Sequence, residues 1–202
     1  MAFALFDRDK KQIDAAATKL YGSLVAQARS PVFYGPLQVP DTVDGRYDMI
    51  VVHAALILRR IARQEEQDAA KVDRDSRSAK LAQALFDLMF ADMDRNLREM
   101  GVGDLSVGKH VKKMMKAFYG RADAYERGLR AKDPILLADA LAENLYRTLP
   151  DGGEAVPEAV RRTLAIHLIA QAEALESQVD ADLEAGSVTF LPAESAVSEG
   201  QK

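Results

Sequence analysis

Residues 78–98 read SAKLAQALFDLMFADMDRNLR, and the spacing of their apolar side chains decides the fold class. Steps of three or four residues separate Leu81, Leu85, Met89, Met93 and Leu97. This spacing predicts an amphipathic α-helix. With Phe86 and Phe90 added, the apolar sector covers about half of the helix circumference, more than an ordinary core-facing stripe. Two interpretations stay open: a central helix packed on most sides, or a helix whose Phe and Met face is exposed for a partner.

The same spacing recurs outward in both directions and predicts further helices. One is predicted near residues 9–29, and a second begins at a cap formed by Thr42 or Asp44 and continues through Ile61. Later helices are predicted near residues 105–119, 121–131, 134–148 and 160–179. Gly120 is the predicted left-handed cap of the 105–119 helix, and Asp133 with Pro134 opens the 134–148 helix.

The segments between these helices predict loops. The prolines of residues 30–44 indicate an extended loop, and Pro150 to Gly153 a turn. Strand signals are confined to fragments such as 187–191. The sequence therefore predicts an all-α protein: a single globular domain of about six to seven helices at residues 1–185, with a flexible C-terminal tail at 186–202.

Composition narrows the function class. The chain has 202 residues, of which 48% are hydrophobic and 29% charged, enough for one packed core. A net charge of -4 argues against DNA as a partner. The absence of cysteine excludes disulfides, thiol catalysis and cysteine-based metal sites. No apolar run approaches the roughly 18 residues of a membrane span, so we expect a soluble chain that could still lie on a membrane surface.

Two short motifs imitate catalytic signatures without their context. Gly103, Gly108 and Lys109 match part of a phosphate-binding loop, but His110 replaces the Ser or Thr that holds magnesium, and a helix precedes the motif instead of a strand. Ser106 and Lys109 have the spacing of a lysine-activated serine, but its partner motifs are missing. Ser106 is better interpreted as a helix cap. We therefore predict no enzyme activity and no cofactor.

The three histidines also lack a metal-ligand spacing. His53, His110 and His167 fall on three different predicted helices, so no metal site is expected. Asp92 lies within the apolar sector of the 78–98 helix and must be paired, with Arg95 or with a basic residue of another helix. That pair is the only feature of the sequence that suggests a small-molecule pocket.

Two further features of this region are polar. Asp87, Asp94 and Arg98 lie on the polar side of the 78–98 helix as solvated pairs. The predicted 105–119 helix has two opposite faces. Its apolar face consists of Val107, Val111, Met114, Met115 and Phe118. Its basic face consists of Lys109, Lys112, Lys113 and Lys116, with no acidic residue between Leu105 and Arg121. Such a face attracts anionic lipid headgroups or an acidic protein surface, unless it is merely solvated.

Three blocks of the chain resemble the ubiquinol–cytochrome c chaperone family. They read FYGPLQVPDTVDGRYDMIVVHAALILRR (33–60), QALFDLMFADMD (83–94) and DMDRNLREMGVGDLSVGKHVKKMMKAFYGRADAY (92–125). With the intervening helices, the resemblance covers about residues 10–150. It implies a bacterial-type, non-enzymatic assembly chaperone that binds newly made cytochrome b, an integral membrane protein, while the ubiquinol–cytochrome c reductase complex is assembled.

The resemblance also implies partners and roles for residues. The ribosome and a second assembly factor are implied as further partners, and the implied location is the cytoplasm or the inner face of the inner membrane. Structural roles are implied for Asp92, Asp94, Arg95, Arg98, Glu99, Gly101, Gly103, Asp104 and Gly120. From this run and the basic face together, we predict client or lipid contacts at Lys109, Lys112, Lys113, Lys116, Phe118, Tyr119, Arg121 and Tyr125. The alternative function is that of a peripheral membrane protein whose basic amphipathic helix binds anionic lipid.

Overall fold

The computed structural model describes residues 2–68, 76–148 and 155–199. Its α-helices are α1 (Ala2–Ala28), α2 (Pro31–Tyr34), α3 (Val43–Asp68), α4 (Arg77–Glu99), α5 (Asp104–Ala131), α6 (Pro134–Asn144), α7 (Glu158–Glu176), α8 (Asp180–Glu184) and α9 (Glu194–Glu199). A 3₁₀ turn follows α6 at Tyr146–Thr148. No strand occurs in the described ranges, including 187–191. The all-α prediction is confirmed.

Helices occur in each region where the sequence predicts a long one, but α1 begins at Ala2 instead of near residue 9, and α3 continues past Ile61 to Asp68. Three short helices were not predicted. Helix α2 begins at Pro31, within the segment expected to be an extended loop, because proline is suited to the first helical position. Helices α8 and α9 follow the predicted end of the last long helix. The turn predicted at Pro150 to Gly153 lies outside the described residues.

The predicted break at Gly120 is wrong. Helix α5 continues through Gly120, which is exposed and whose added Cβ would meet nothing within 4 Å. Interior glycine costs a helix only about 0.5–1 kcal/mol relative to alanine, less than the packing of its neighbours supplies. The left-handed residue that ends α5 is Lys132, with a φ of 52°, and the Asp133 N–H donates to the Gly128 carbonyl over 3.0 Å.

The helices group into two compact units. Unit 1 consists of Met1–Ser23, Leu58–Tyr119 and Gln178–Val188. The apolar face of α4 is buried there at Leu81, Leu85, Phe86, Met89, Phe90 and Met93. This burial decides between the two interpretations of the 78–98 stretch. The helix is packed on its wide apolar face, and the alternative of an exposed Phe and Met face is wrong.

Segment 178–188 is held within unit 1 by polar contacts. The Glu184 carboxylate accepts hydrogen bonds from Gln64 over 3.1 Å and from Ser78 over 3.4 Å, and Arg60 forms an ion pair with Asp180. Gly186 has a φ of 84°, and a Cβ there would lie 2.7 Å from the Ala16 carbonyl oxygen. Glycine is required at this position for both reasons.

Unit 2 consists of Leu24–Ile57, Gly120–Ser177 and Thr189–Lys202. The predicted cap of α6 is confirmed, because the Asp133 carboxylate accepts from the N–H groups of Ile135 and Leu136 over 2.8 and 3.1 Å. Helices α5 and α6 approach closely at Gly128, where a Cβ would lie 2.7 Å from the Leu137 Cβ and 2.8 Å from its backbone.

The segment that begins at Gly186 was expected to be a flexible tail through residue 202. In unit 2 the Leu191 N–H donates to Gln171 over 2.7 Å, and the Gln27 amide donates to the Leu191 carbonyl over 2.9 Å. Ala193 and Ala196 are buried. These contacts hold part of the segment against α1 and α7, and its flexibility stays a prediction.

Candidate binding surface

The turn between α4 and α5 is shaped by residues of the family-like run. Arg98 donates to the Asp94 carboxylate over 2.6 Å and also pairs with Asp104, the first residue of α5. The predicted pair of Asp94 with Arg98 is therefore confirmed. Gly101 adopts a left-handed φ of 87°, which glycine reaches without strain. Together these contacts fix the direction in which α5 leaves the turn.

The first residues of α5 differ from the predicted cap at Ser106. The helix begins at Asp104, and the Ser106 hydroxyl donates to the Gly103 carbonyl over 2.9 Å instead of accepting from the backbone. Glu99 and Gly103 are exposed. Residues 99–104 therefore form an open turn at one end of the surface.

Asp92 is paired as the sequence predicted, and both of its carboxylate oxygens have donors. Arg95 pairs with one oxygen, and the other accepts from the Tyr21 hydroxyl over 2.7 Å and from Asn96 over 3.3 Å. The side chain of Asp92 is 18% exposed. Tyr21 was missed because its sequence separation of 71 residues leaves no local signal. Both acceptor atoms of Asp92 are therefore occupied by groups of unit 1.

An aromatic cluster attaches α5 to α4. The Phe118 ring lies 5.5 Å from Phe86 and 6.1 Å from Phe90, and the Tyr119 ring lies 5.4 Å from Phe86, all between centroids. These are favourable separations for aromatic pairs. Phe118 is buried, which corrects its assignment as a contact residue, whereas Tyr119 is 60% exposed.

The two faces of α5 between residues 104 and 119 are separated as predicted. Val107 and Phe118 are buried, and Val111, Met114 and Met115 are partly buried. The four lysines of the basic face, Lys109, Lys112, Lys113 and Lys116, are exposed. Among the residues that the structure describes, no ion pair involves any of these four lysines. This leaves a cationic surface in a chain whose net charge is negative.

Exposed apolar side chains adjoin these lysines. Leu105 has 104% of its reference exposure and Met100 has 55%, so both project into solvent near the α4–α5 turn. We call Leu105, Lys109, Lys112, Lys116 and Tyr119 the outer stripe, since steps of four, three, four and three residues place them on one side of α5. The stripe extends for about 21 Å at the helical rise. Leu105 was overlooked because it was considered apart from the lysines.

Two other predicted contact residues lie inside unit 2. Arg121 is buried and forms an ion pair with the buried Asp48, and its guanidinium lies 5.9 Å from the centroid of the Tyr47 ring. Tyr125 is also buried. The prediction that Arg121 and Tyr125 form surface contacts is thereby corrected: both belong to the interior.

The electrostatics of this pair are governed by burial. Burial raises the pKa of Asp48 from 3.8 to about 7, against the opposing influence of Arg121 and Arg147. One oxygen of Asp48 has no hydrogen-bond partner among the described residues. The sequence contained a signal for this site, because Val51, Val52 and Ala55 place Asp48 in an apolar row of α3.

Comparison with known proteins decides the family. A sequence model described as ubiquinol-cytochrome C chaperone matches residues 36–190, most of the chain. The chain belongs to the ubiquinol–cytochrome c chaperone family. The crystal structure of the Cbp3 homolog from Brucella abortus is similar, with a TM-score of 0.78, 33% sequence identity and coverage of 96% of this chain and 98% of that chain. Among curated proteins, none matches the chain.

The family match covers the whole candidate surface. Residues 36–190 include the α4–α5 turn, the outer stripe and the Asp48–Arg121 pair. The match also extends through α7 and α8, beyond the blocks that carry the resemblance in the sequence. Within the described ranges, no helix of this chaperone is long and apolar enough to cross a membrane.

Proposed function

We propose that this chaperone binds newly made cytochrome b during assembly of the ubiquinol–cytochrome c reductase complex. The observation that carries the proposal is the exposed basic face of α5, which lies within the family-like run of a chain that belongs to the chaperone family. Four uncompensated lysines repel one another, and an anionic partner would relieve that repulsion.

The chemistry of the surface suits a client with apolar and acidic segments. Met100, Leu105 and Tyr119 provide exposed apolar contact area beside the lysines. The Phe and Met side chains of α4 are buried and are not part of the contact. In this proposal the lysines meet acidic segments of the client, and the three apolar side chains meet apolar segments that have not yet been shielded.

The proposed setting follows from the client. Cytochrome b is an integral membrane protein, so the chaperone would work at the cytoplasmic side of the inner membrane, where a ribosome or a second assembly factor are further candidate partners. Direct lipid binding is the weaker alternative. A helix that lies in the lipid interface inserts its apolar face, and α5 buries Val107 and Phe118 of that face in its own core.

Reversing the charge of the basic face tests the proposal. In cells, the variant Lys109→Glu, Lys112→Glu and Lys116→Glu should recover at least about tenfold less cytochrome b with the tagged chaperone, because like charges oppose the contact. The matched control is Lys11→Glu, Lys19→Glu and Lys80→Glu, which makes the same charge change at exposed positions of unit 1. Circular dichroism checks that both variants remain helical.

The outcome distinguishes client binding from lipid binding. Unchanged recovery of cytochrome b with the α5 variant would refute the assignment of the client to this surface. Flotation with vesicles of phosphatidylcholine and phosphatidylglycerol provides the second measurement. Strong flotation of the unmodified chain, lost in the α5 variant while cytochrome b recovery is unchanged, would favour the lipid function instead.

A further inference from the structure

We infer that the outer stripe of α5 recognises an acidic α-helix of a partner protein, in which carboxylates recur at steps of three and four residues. The inference deepens the proposed function and rests on it in one respect: both use the exposed face of α5. It adds the geometry of the partner. The contacting segment is a helix lying along α5, with its charges in register with Lys109, Lys112 and Lys116.

The spacing of the stripe residues supports a helical partner. Alternating steps of four and three residues are the spacing of a heptad seam, which a second helix can follow along its length. An ideal helix drifts by only about 20° per heptad relative to this repeat, so the five stripe residues form a nearly straight line. Acidic residues at the same spacing on a neighbouring helix would each face one lysine, as charged positions flanking a coiled-coil seam do.

The apolar residues at the two ends of the stripe also support a helical partner. Leu105 and Tyr119 are both among the exposed large apolar side chains, and they lie about 21 Å apart with the lysines between them. Apolar contacts at both ends would exclude water from the charged pairs and set the register of a bound helix. A disordered acidic segment has no fixed spacing to match these two ends.

Gly108, which lies beside the stripe, supports close contact between α5 and a partner. Gly108 lies in the interior of α5, is exposed, and a Cβ there would meet nothing within 4 Å. No packing within the described chain requires a glycine at this position, although glycine weakens a helix. Its position, four residues before Lys112 and about 40° from it round the helix, leaves room for close approach of another backbone beside the stripe.

The burial of the opposite face favours a protein over a membrane. Val107 and Phe118 are held in the core of unit 1, so the side of α5 open to a partner is the one that carries the outer stripe. A charged membrane surface attracts lysines regardless of their register. A helix distinguishes Lys112, on the stripe, from Lys113, which lies about 80° from the middle of the stripe round α5.

Designed peptides test the register with the complete chain. One helical peptide carries glutamates at the spacing of Lys109, Lys112 and Lys116, with a leucine beyond each end. A second has the same composition with the glutamates distributed round the helix. Fluorescence anisotropy at low salt should show about fivefold tighter binding of the first peptide, as expected for three exposed ion pairs of modest strength. Equal affinity for the two peptides would overturn the inference.

Charge exchange provides the matched control. Lys112→Glu should weaken the first peptide about threefold or more, and a lysine in place of the facing glutamate should restore binding. Lys113→Glu makes the same charge change beside the stripe and should have little effect on the peptide. Equal losses from the two variants, or binding only to vesicles containing phosphatidylglycerol, would show that net charge and not register is recognised.

The same two variants separate this inference from the proposed function. Recovery of cytochrome b that falls equally in Lys112→Glu and Lys113→Glu, with no peptide discrimination, would leave the client proposal standing and overturn the acidic helix. Peptide discrimination with unchanged cytochrome b recovery would support the acidic helix and refute the client assignment. The acidic-helix inference and the client assignment can therefore be refuted independently by these two measurements.

Discussion

Helix α5 carries cationic side chains in both of its parts, and their surroundings are opposite. Between residues 104 and 119, four lysines are exposed and no ion pair among the described residues involves them. Between residues 120 and 131, Arg121 is buried and paired with Asp48. The two parts lie within one uninterrupted helix. Sequence position alone therefore does not decide whether a cation serves the surface or the interior.

The type of cation agrees with this difference. Lysine is strongly hydrated and mobile, which suits a surface that contacts a partner only when one is present. Arginine loses hydration more readily and offers a planar set of donors, which suits a buried pair with a carboxylate. We therefore expect substitutions of Arg121 to affect folding, and substitutions of the lysines to affect binding.

Removal of Arg121 should have the largest effect on stability. At about pH 8.5, where Asp48 is ionised beside Arg121, Arg121→Leu leaves this buried carboxylate without its cation, and the free energy of unfolding should fall by about 3–5 kcal/mol. Lys112→Leu, on the exposed part of α5, should change it by no more than about 0.5 kcal/mol. Denaturant unfolding measures both, and comparable losses would abolish the distinction between the two parts of the helix.

A double variant separates loss of the pair from loss of packing. Asp48→Leu combined with Arg121→Leu removes both charges, so it should recover most of the stability that Arg121→Leu loses. No recovery would mean that Arg121 contributes mainly through packing, including its contact with the Tyr47 ring.

The dependence of stability on pH should reveal the same buried carboxylate. Burial raises the pKa of Asp48 to about 7, so the folded chain holds this proton more tightly than the unfolded chain, in which the pKa is near 3.8. The contribution of Asp48 to stability is therefore complete below about pH 4 and is lost as the pH rises to 7, by about 1.4 kcal/mol per unit of raised pKa.

Two asparagine variants isolate this contribution from that of other carboxylates. Unfolding of the unmodified chain and of Asp48→Asn is compared at pH 4.5 and 7.5. The fall in stability between these conditions should be larger for the unmodified chain. Asp139→Asn, at an exposed position of α6, should behave like the unmodified chain. A larger fall in Asp48→Asn would reverse the sign and contradict the burial argument.

Much of the fold could be predicted from the apolar periodicity of the sequence, because most helices here have one buried face and one solvent-exposed face. The cap at Asp133 and the left-handed Gly101 were also predictable, since short local patterns decide them. The end of α5 could not be predicted in this way. It is formed by Lys132 in a left-handed conformation that a lysine rarely adopts, whereas Gly120, the residue expected there, lies inside the helix.

The candidate surface was predicted only in part, for a similar reason. The lysines could be assigned to one face of α5 from their spacing. Phe118, Arg121 and Tyr125 were assigned to the surface because they belong to the same family-like run. Their burial depends on residues distant in sequence, such as Phe86 and Asp48. A linear run reveals which residues occur together, but tertiary packing decides which of them reach solvent.

Two glycines of α5 should respond to alanine in opposite directions. In Gly128→Ala the new methyl group would lie 2.7–2.8 Å from Leu137, including its backbone, which should cost about 1–3 kcal/mol by overpacking. In Gly108→Ala it would meet nothing within 4 Å, and higher helix propensity should add about 0.5–1 kcal/mol. Thermal unfolding measures both. A loss of stability in Gly108→Ala would show that the exposed part of α5 is packed more tightly than the structure describes.

The smallest expected effect concerns repulsion among the exposed lysines. Lys112 and Lys116 are four residues apart on α5, and like charges at this spacing destabilise a helix by about 0.2–0.5 kcal/mol. Lys112→Gln should therefore raise the free energy of unfolding slightly at low salt, and the gain should disappear in about 1 M salt, where the screening length is about 3 Å. A gain that persists at high salt would indicate improved packing or propensity. Disappearance with salt would show that the exposed part of α5 retains, at a small cost in stability, a charge repulsion that screening ions or an anionic partner relieve.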